Sequence, residues 1–337
     1  MAEIVLGMWT SHGPTLSTTP EQWELRLPAD RRNLHPFRGR KYDFESLRQL
    51  RAAERLDQRC TLEERRRRHA ACQRAIARMA DIFAAVQPDA AVIIGNDQRE
   101  LFLDDITPAI TVFTGETLWD RPSTPDQIAR MPPGIHEAES GHRPPEYREY
   151  PALPELALHI ARTAAHEQFD IAVSKRLPEH PNHWSSGVPH SLGFIYRGIM
   201  RDEVIPNVPI IINTFFPPNQ PTARRCFDLG RMLGRALRSW NSDRRIAVFG
   251  SGGMSHFVID EDFDRMFLKA LQERDARTLC SISEDVLQSG TSELRTWIAA
   301  AGVLFDTDLE GGIVDYQPCY RSDAGTGTAN GFVAWHK

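Results

Sequence analysis

The sequence predicts an α/β fold, a mostly parallel central sheet flanked by helices. Short apolar runs of about five residues recur along the chain, bounded by Gly, Pro and Asn, and longer stretches with helical period separate them. Runs that are apolar at every position suit strands buried on both faces, as in parallel sheets. Their alternation with helices points to a doubly wound architecture.

The first run, Ile4–Met8, ends at the polar corner Thr10-Ser11-His12-Gly13-Pro14. A helix is expected over Thr61–Val86. Its basic run Arg65–Arg68 follows Glu63 and Glu64 and reads as a solvated face with ion pairs. Ala90–Ile94 follows the turn signal Gln87-Pro88-Asp89 and stops at Gly95-Asn96-Asp97. The polar, Pro-rich stretch 115–154 reads as a lid or inserted loop within a single domain spanning 1–337. A helix over Leu153–His166, a strand over Val208–Ile212 and a helix over Arg224–Trp240 come next. Ile246–Phe249 is the fourth strand, closed by Gly250-Ser251-Gly252-Gly253, and helices are expected over Glu261–Gln272 and Glu284–Ala301.

Composition narrows the function classes. Hydrophobic residues make up 41% of the 337 and charged residues 25%, as in ordinary globular proteins. The 45 acidic residues outweigh the 40 basic ones, so no global field attracts nucleic acid. The basic run lacks the aromatic neighbours of a single-strand binding surface. No stretch approaches the roughly 20 apolar residues of a membrane span. The N-terminus lacks a basic segment ahead of its apolar run, so a cleaved signal is not expected. Five scattered cysteines form neither a disulfide framework nor a CxxC knuckle, and a reducing cytoplasm is the expected compartment.

Twelve histidines invite a search for chemistry. Sites in such sheets collect at the carboxyl ends of strands, which singles out His12, Asn96-Asp97-Gln98 and the loop Gly250–His256. Asn96 or Asp97 could equally cap a helix. The glycine turn matches neither dinucleotide nor phosphate-loop patterns, and no GxSxG elbow is present. Glu261, Asp262 and Asp264 open a helix after that turn, where dipole compensation is the ordinary explanation. His183 and His190 flank Trp184–Pro189 and sit on no apolar helical face. Imidazole and carboxylate with open positions is how proteins hold non-haem Fe(II), and a further histidine nearby can act as acid and base.

The ordered set Thr10–Pro14, Gly95–Gln98, His190–Arg197, Val208–Thr214, Phe216–Pro221, Gly250–His256 and Asp260–Asp264 resembles the class III (LigB-like) extradiol ring-cleavage dioxygenases. The tail Cys319–Gly327 resembles the branch containing protocatechuate and 3-O-methylgallate dioxygenases. The resemblance implies Fe(II) held by two histidines and a glutamate, with O2 as co-substrate and a catecholic or gallate-like aromatic acid as substrate. It implies His12 as the first ligand and Glu261, or Asp262 next to it, as the carboxylate. It implies a histidine at position 98, where this chain has Gln98. Either Gln98 ligates, or another histidine such as His35 or His69 fills in, or the iron is weak or absent. His190 is the implied acid–base residue, with His183 as rival. His256 is placed to bind a substrate oxygen or to support the carboxylate ligand. Arg197, Arg224, Arg225 or Arg321 would meet the substrate's carboxylate, and a homo-oligomer is the expected assembly. The alternatives are a metal-altered homologue doing non-oxidative chemistry on a phenolic acid, and a non-catalytic partner subunit.

Overall fold

The computed structural model describes residues 1–180 and 183–337. A nine-stranded mixed sheet forms its centre. In chain order the strands are β1 (Glu3–Ser11), β2 (Ala90–Asn96), β3 (Ile110–Phe113), β4 (Ala172–Ser174), β5 (Asn207–Ile212), β6 (Arg245–Gly252), β7 (His256–Val258), β8 (Glu310–Tyr320) and β9 (Thr326–His336). Their spatial order is β7-β9-β1-β6-β2-β5-β3-β4, with β8 paired to β9. The four apolar runs expected as strands are β1, β6, β2 and β5, and these neighbours are parallel throughout. β9 runs antiparallel to β1, β7 and β8, and β3 runs antiparallel to β5.

Because successive side chains of a strand point to opposite faces, these apolar runs feed two cores. Val92, Ile94, Ile210, Ile212, Ile246 and Val248 face one cluster, with helices α2 (Pro154–His166), α3 (Ala223–Ser239), α4 (Glu261–Gln272) and α5 (Leu294–Leu304). Ala91, Ile93, Ile211, Ala247 and Phe249 face the other, with α1 (Leu62–Val86) and the segment around Leu192–Tyr196. Helices thus cover both faces, as the alternation predicts.

The stretch 115–154 carries a hairpin, Thr117–Asp120 with Arg148–Pro151, and short helical turns at Pro125–Ile128 and His136–Gly141. Two expectations are corrected. The helix expected over Glu284–Ala301 begins only at Leu294, after a 3-10 turn at Ser289–Glu293. Ser289, Gly290, Thr291 and Ser292 are weak helix formers, and Ser289 is left-handed at φ 53°. The basic run is only half solvated. Arg66 and Arg67 are exposed, whereas Arg65 and Arg68 are buried and Arg65 pairs with Glu24. No helix among the described residues is long and apolar enough to cross a membrane.

Candidate metal centre

Three parallel neighbours, β1, β6 and β2, end on one edge of the sheet and deliver most of the site. His12 directly follows β1, Ser251 lies in the last turn of β6, and Asn96 closes β2. Glu293 arrives from the 3-10 turn that leads into α5.

The hydrogen bonds fix which ring nitrogens carry protons. His12 Nδ1 lies 3.0 Å from Ser251 Oγ. That hydroxyl donates its single proton to the Ser191 carbonyl at 2.5 Å, so it must accept from His12 Nδ1–H. His12 Nε2 therefore keeps its lone pair. It is buried without a hydrogen-bond partner, 3.2 Å from Glu293 Oε2. His256 repeats the pattern: its Nδ1 is 2.8 Å from the Met254 carbonyl, which can only accept. Its Nε2 lies 3.5 Å from the same Glu293 Oε2. His190 donates from Nδ1 to Glu100 Oε2 at 2.8 Å, and its backbone N–H reaches Oε1 at 2.9 Å. Its ring stands edge-on to His12, with centroids 4.6 Å apart.

Glu293 turns its other oxygen away from the imidazoles. Oε1 accepts from Asn96 Nδ2 and Gln98 Nε2, each at 3.2 Å. Since a carboxylate can only accept, the Gln98 group facing it is the NH2 end. Burial opposes charge on Glu293, yet His12 and His256 pull its carboxyl well below the ordinary range. Burial lowers the pKa of His12, against the pull of Glu293. Burial likewise opposes charge on Glu100, but His190 and Arg143 bring its carboxyl down to about 2. Burial disfavours the imidazolium of His190, and Glu100 outweighs it and raises the pKa.

The Nε2 atoms of His12 and His256 thus converge on an ionised carboxylate in a buried space, and, against burial, Glu293 raises the pKa of His256. Such a carboxylate is satisfied by an imidazolium proton or by a metal cation held between the same atoms. The donor atoms of His12, His190 and Glu293 lie within 4.8 Å of one another and could hold a metal ion. Two imidazoles and a carboxylate suit divalent transition metals and leave positions open.

The site opens into a cavity of about 470 Å³, lined by His12, Gln98, His190, His256 and Glu293 at its base. Trp23, Trp184, Phe257 and Ile135 give it apolar walls, and Arg26, Arg130 and Arg321 bring positive charge. Arg321 is matched by Asp30 through bonds of 2.5 and 2.9 Å. Arg26 donates to the Pro133 carbonyl at 3.3 Å and has no carboxylate in ion-pair contact among the described residues. Arg130, Pro132, Ile135, Ala138 and His142 come from the stretch 115–154, which walls the cavity.

Of the residues expected from sequence, His12, Gln98, His190 and His256 meet here. Glu261 and Asp262 do not. Glu261 is engaged by Tyr320 at 2.8 Å, Arg59 at 2.5 Å and Arg265 at 2.6 Å, and the carboxylate beside His12 is Glu293. Asp262 is 78% exposed and pairs with Arg38. His183 packs edge-on against His180, with centroids 4.7 Å apart, and does not line the cavity. Arg197 is committed to Asp202 at 2.8 Å and also lies outside the cavity. His35 is bonded to the Asp30 carbonyl at 2.7 Å, and His69 packs near Trp23. Sequence reasoning missed Glu293, Glu100 and His142. Glu293 was hidden inside an expected helix, and the signal for it was the helix-poor Ser-Gly-Thr-Ser segment just before it.

Comparison with known proteins bears on this geometry. Residues 76–330 match the family described as the catalytic LigB subunit of aromatic ring-opening dioxygenase. Gallate dioxygenase of Pseudomonas putida is 28% identical over 180 residues, covering 50% of each chain. A 2,3-dihydroxyphenylpropionate/2,3-dihydroxicinnamic acid 1,2-dioxygenase of Paraburkholderia phymatum is 38% identical over 107 residues, 32% of this chain and 30% of its own. Its counterpart in Paraburkholderia xenovorans is 27% identical over 209 residues, 45% of this chain and 62% of its own. The chain therefore spans from about a third to somewhat under two thirds of the length of these relatives.

Proposed function

Because the chain belongs to the LigB family of aromatic ring-opening dioxygenases, we propose that it is a non-haem Fe(II)-dependent extradiol dioxygenase. Its substrate would be a catecholic or gallate-like aromatic acid, as in the names of its relatives. Both atoms of O2 enter the product, and the ring opens at the C–C bond next to the two hydroxyls. The observation that carries the reading is the buried cluster in which His12 Nε2 and His256 Nε2 converge on Glu293 Oε2 and the donor atoms of His12, His190 and Glu293 lie within 4.8 Å of one another.

His12 and Glu293 supply two of the metal's donors, and His190 and His256 are the imidazoles within reach for a third. Bound iron would lower the pKa of the phenol and hold substrate and O2 side by side. The chain's own residues do the rest. Glu100 fixes His190 with Nδ1–H turned inward, which leaves Nε2 free to take a phenolic proton as substrate enters. Trp23, Trp184 and Phe257 offer faces for an aromatic ring. Arg26 supplies the unmatched charge for a carboxylate. The residues from 115–154 that wall the cavity limit the access of water to it.

The test is anaerobic loading with Fe(II), followed by gallate, protocatechuate or 2,3-dihydroxyphenylpropionate and then O2. A yellow ring-opened product with one O2 consumed per substrate is expected. Stoichiometric iron with no O2 uptake across the panel would overturn the reading.

A further inference from the structure

We propose that His256 is the second imidazole ligand of this metal site, replacing the histidine that the family resemblance expects where this chain has Gln98. The proposal rests on the metal-dependent reading above and says which of the chain's own residues complete it.

Gln98 presents its NH2 end to Glu293 Oε1, so towards the carboxylate its side chain is a donor that steers it and not a lone pair. The oxygen left for a cation is Oε2. The imidazole nitrogens nearest to it are His12 Nε2 at 3.2 Å and His256 Nε2 at 3.5 Å. His256 has the support that ligand histidines need: its other ring nitrogen is tied to a backbone carbonyl, which sets the tautomer and the ring direction. Thr291 holds its backbone on both sides, accepting from the His256 N–H at 3.1 Å and donating to its carbonyl at 3.0 Å.

Two glycines pack closely against the ring as well. A Cβ on Gly253 would sit 2.4 Å from His256 Cε1, and one on Gly290 would sit 2.1 Å from Cδ2. Only glycine fits at either place. A ring packed against two glycines and pinned at Nδ1 is held in one direction, with Nε2 turned towards Glu293 Oε2. His190, backed by the Glu100 carboxylate, is then left unligated for proton transfer.

The experiment titrates the metal-free chain with Co(II), followed by visible absorption and calorimetry, for the unmodified protein and for His256→Ala and His190→Ala. The expected result is one Co(II) per chain, an affinity at least about 100-fold weaker in His256→Ala, and a change within about threefold in His190→Ala. Unchanged affinity in His256→Ala with loss in His190→Ala would overturn the proposal and make His190 the ligand. If the unmodified chain binds neither Co(II) nor Fe(II), the metal-dependent reading itself falls. Should His256→Ala fail to fold, proton NMR of Co(II)-loaded chain decides. Two exchangeable hyperfine-shifted imidazole N–H signals in both the unmodified protein and His190→Ala support the proposal, and loss of one in His190→Ala overturns it.

Discussion

Two buried charge clusters lie near His190, and they are built on different principles. In one, Arg143 donates to Asp120, to the Ser185 hydroxyl and to the carbonyls of Ser186 and Val188. Both charged partners are essentially sealed, at 3% and 1% exposure. One guanidinium meets one carboxylate, although Arg143 Nε and Asp120 Oδ2 keep no hydrogen-bond partner. In the other, Glu293 faces two imidazoles and has no Arg or Lys in ion-pair contact among the described residues. The first cluster is complete in charge and holds the 115–154 hairpin against the segment leading to His190. The second is incomplete in that it lacks a fixed cation, and that gap marks it as a place for a ligand. Burial of charge alone does not distinguish structure from function; the balance of donors and acceptors does.

The largest effect should come from breaking the complete cluster. Arg143→Met strands a buried carboxylate and should cost about 3–5 kcal/mol in urea unfolding, with metal affinity of the folded protein kept. A cost below about 1 kcal/mol would show that the cluster is not the closed unit described. Acid should rescue this variant. Burial pushes the Asp120 carboxyl up to about 7, above its ordinary value, against the pull of Arg143. The folded state then binds the proton more tightly than the unfolded chain does. The destabilisation is therefore full above about pH 7 and fades as pH falls towards 4. Without Arg143 the effect should grow, and pH-dependent unfolding curves of the two proteins would reveal it.

Breaking the incomplete cluster should do the reverse. Glu293→Gln should weaken Fe(II) or Co(II) binding by at least about 100-fold. Metal-free stability should stay level or rise, because a carboxylate whose charge burial opposes is gone. A large loss of metal-free stability, read by thermal unfolding, would mean that Glu293 is structural. A smaller effect is expected at the boundary between the clusters. Glu100→Gln removes the charge and one of the two oxygens that accept from His190, and should lower kcat about 10–100-fold with little change in KM. Glu100→Asp should recover part of it. The smallest effect should come from Gln98→Leu, which deletes one of the two amide donors on Glu293 Oε1. Metal affinity should drop about tenfold, or 1.4 kcal/mol, because Asn96 still holds the oxygen.

The same contrast explains what was legible in the sequence. Strands buried on both faces write themselves as unbroken apolar runs, and β1, β2, β5 and β6 were all readable. The antiparallel strands β8 and β9 were not, since Glu310–Tyr320 and Thr326–His336 mix Gly, Asn and Thr with apolar residues. Their pairing depends on partners far away in the chain. Site residues at strand ends, His12 and Gln98, follow from the sheet rule. Glu293 does not, because it enters from a helix start and not from a strand end. Glu261 drew the carboxylate assignment by following the glycine turn closely, yet Arg59, Arg265 and Tyr320 occupy it. No local pattern announces that kind of long-range competition.

The proposed metal lies in the buried space between His12 Nε2 and Glu293 Oε2. The direct test is anomalous diffraction at the iron edge from crystals loaded anaerobically with Fe(II). A single strong anomalous peak per chain is expected, within bonding distance of both atoms. The contradicting result would be an empty space there at saturating iron, or a peak held by other side chains.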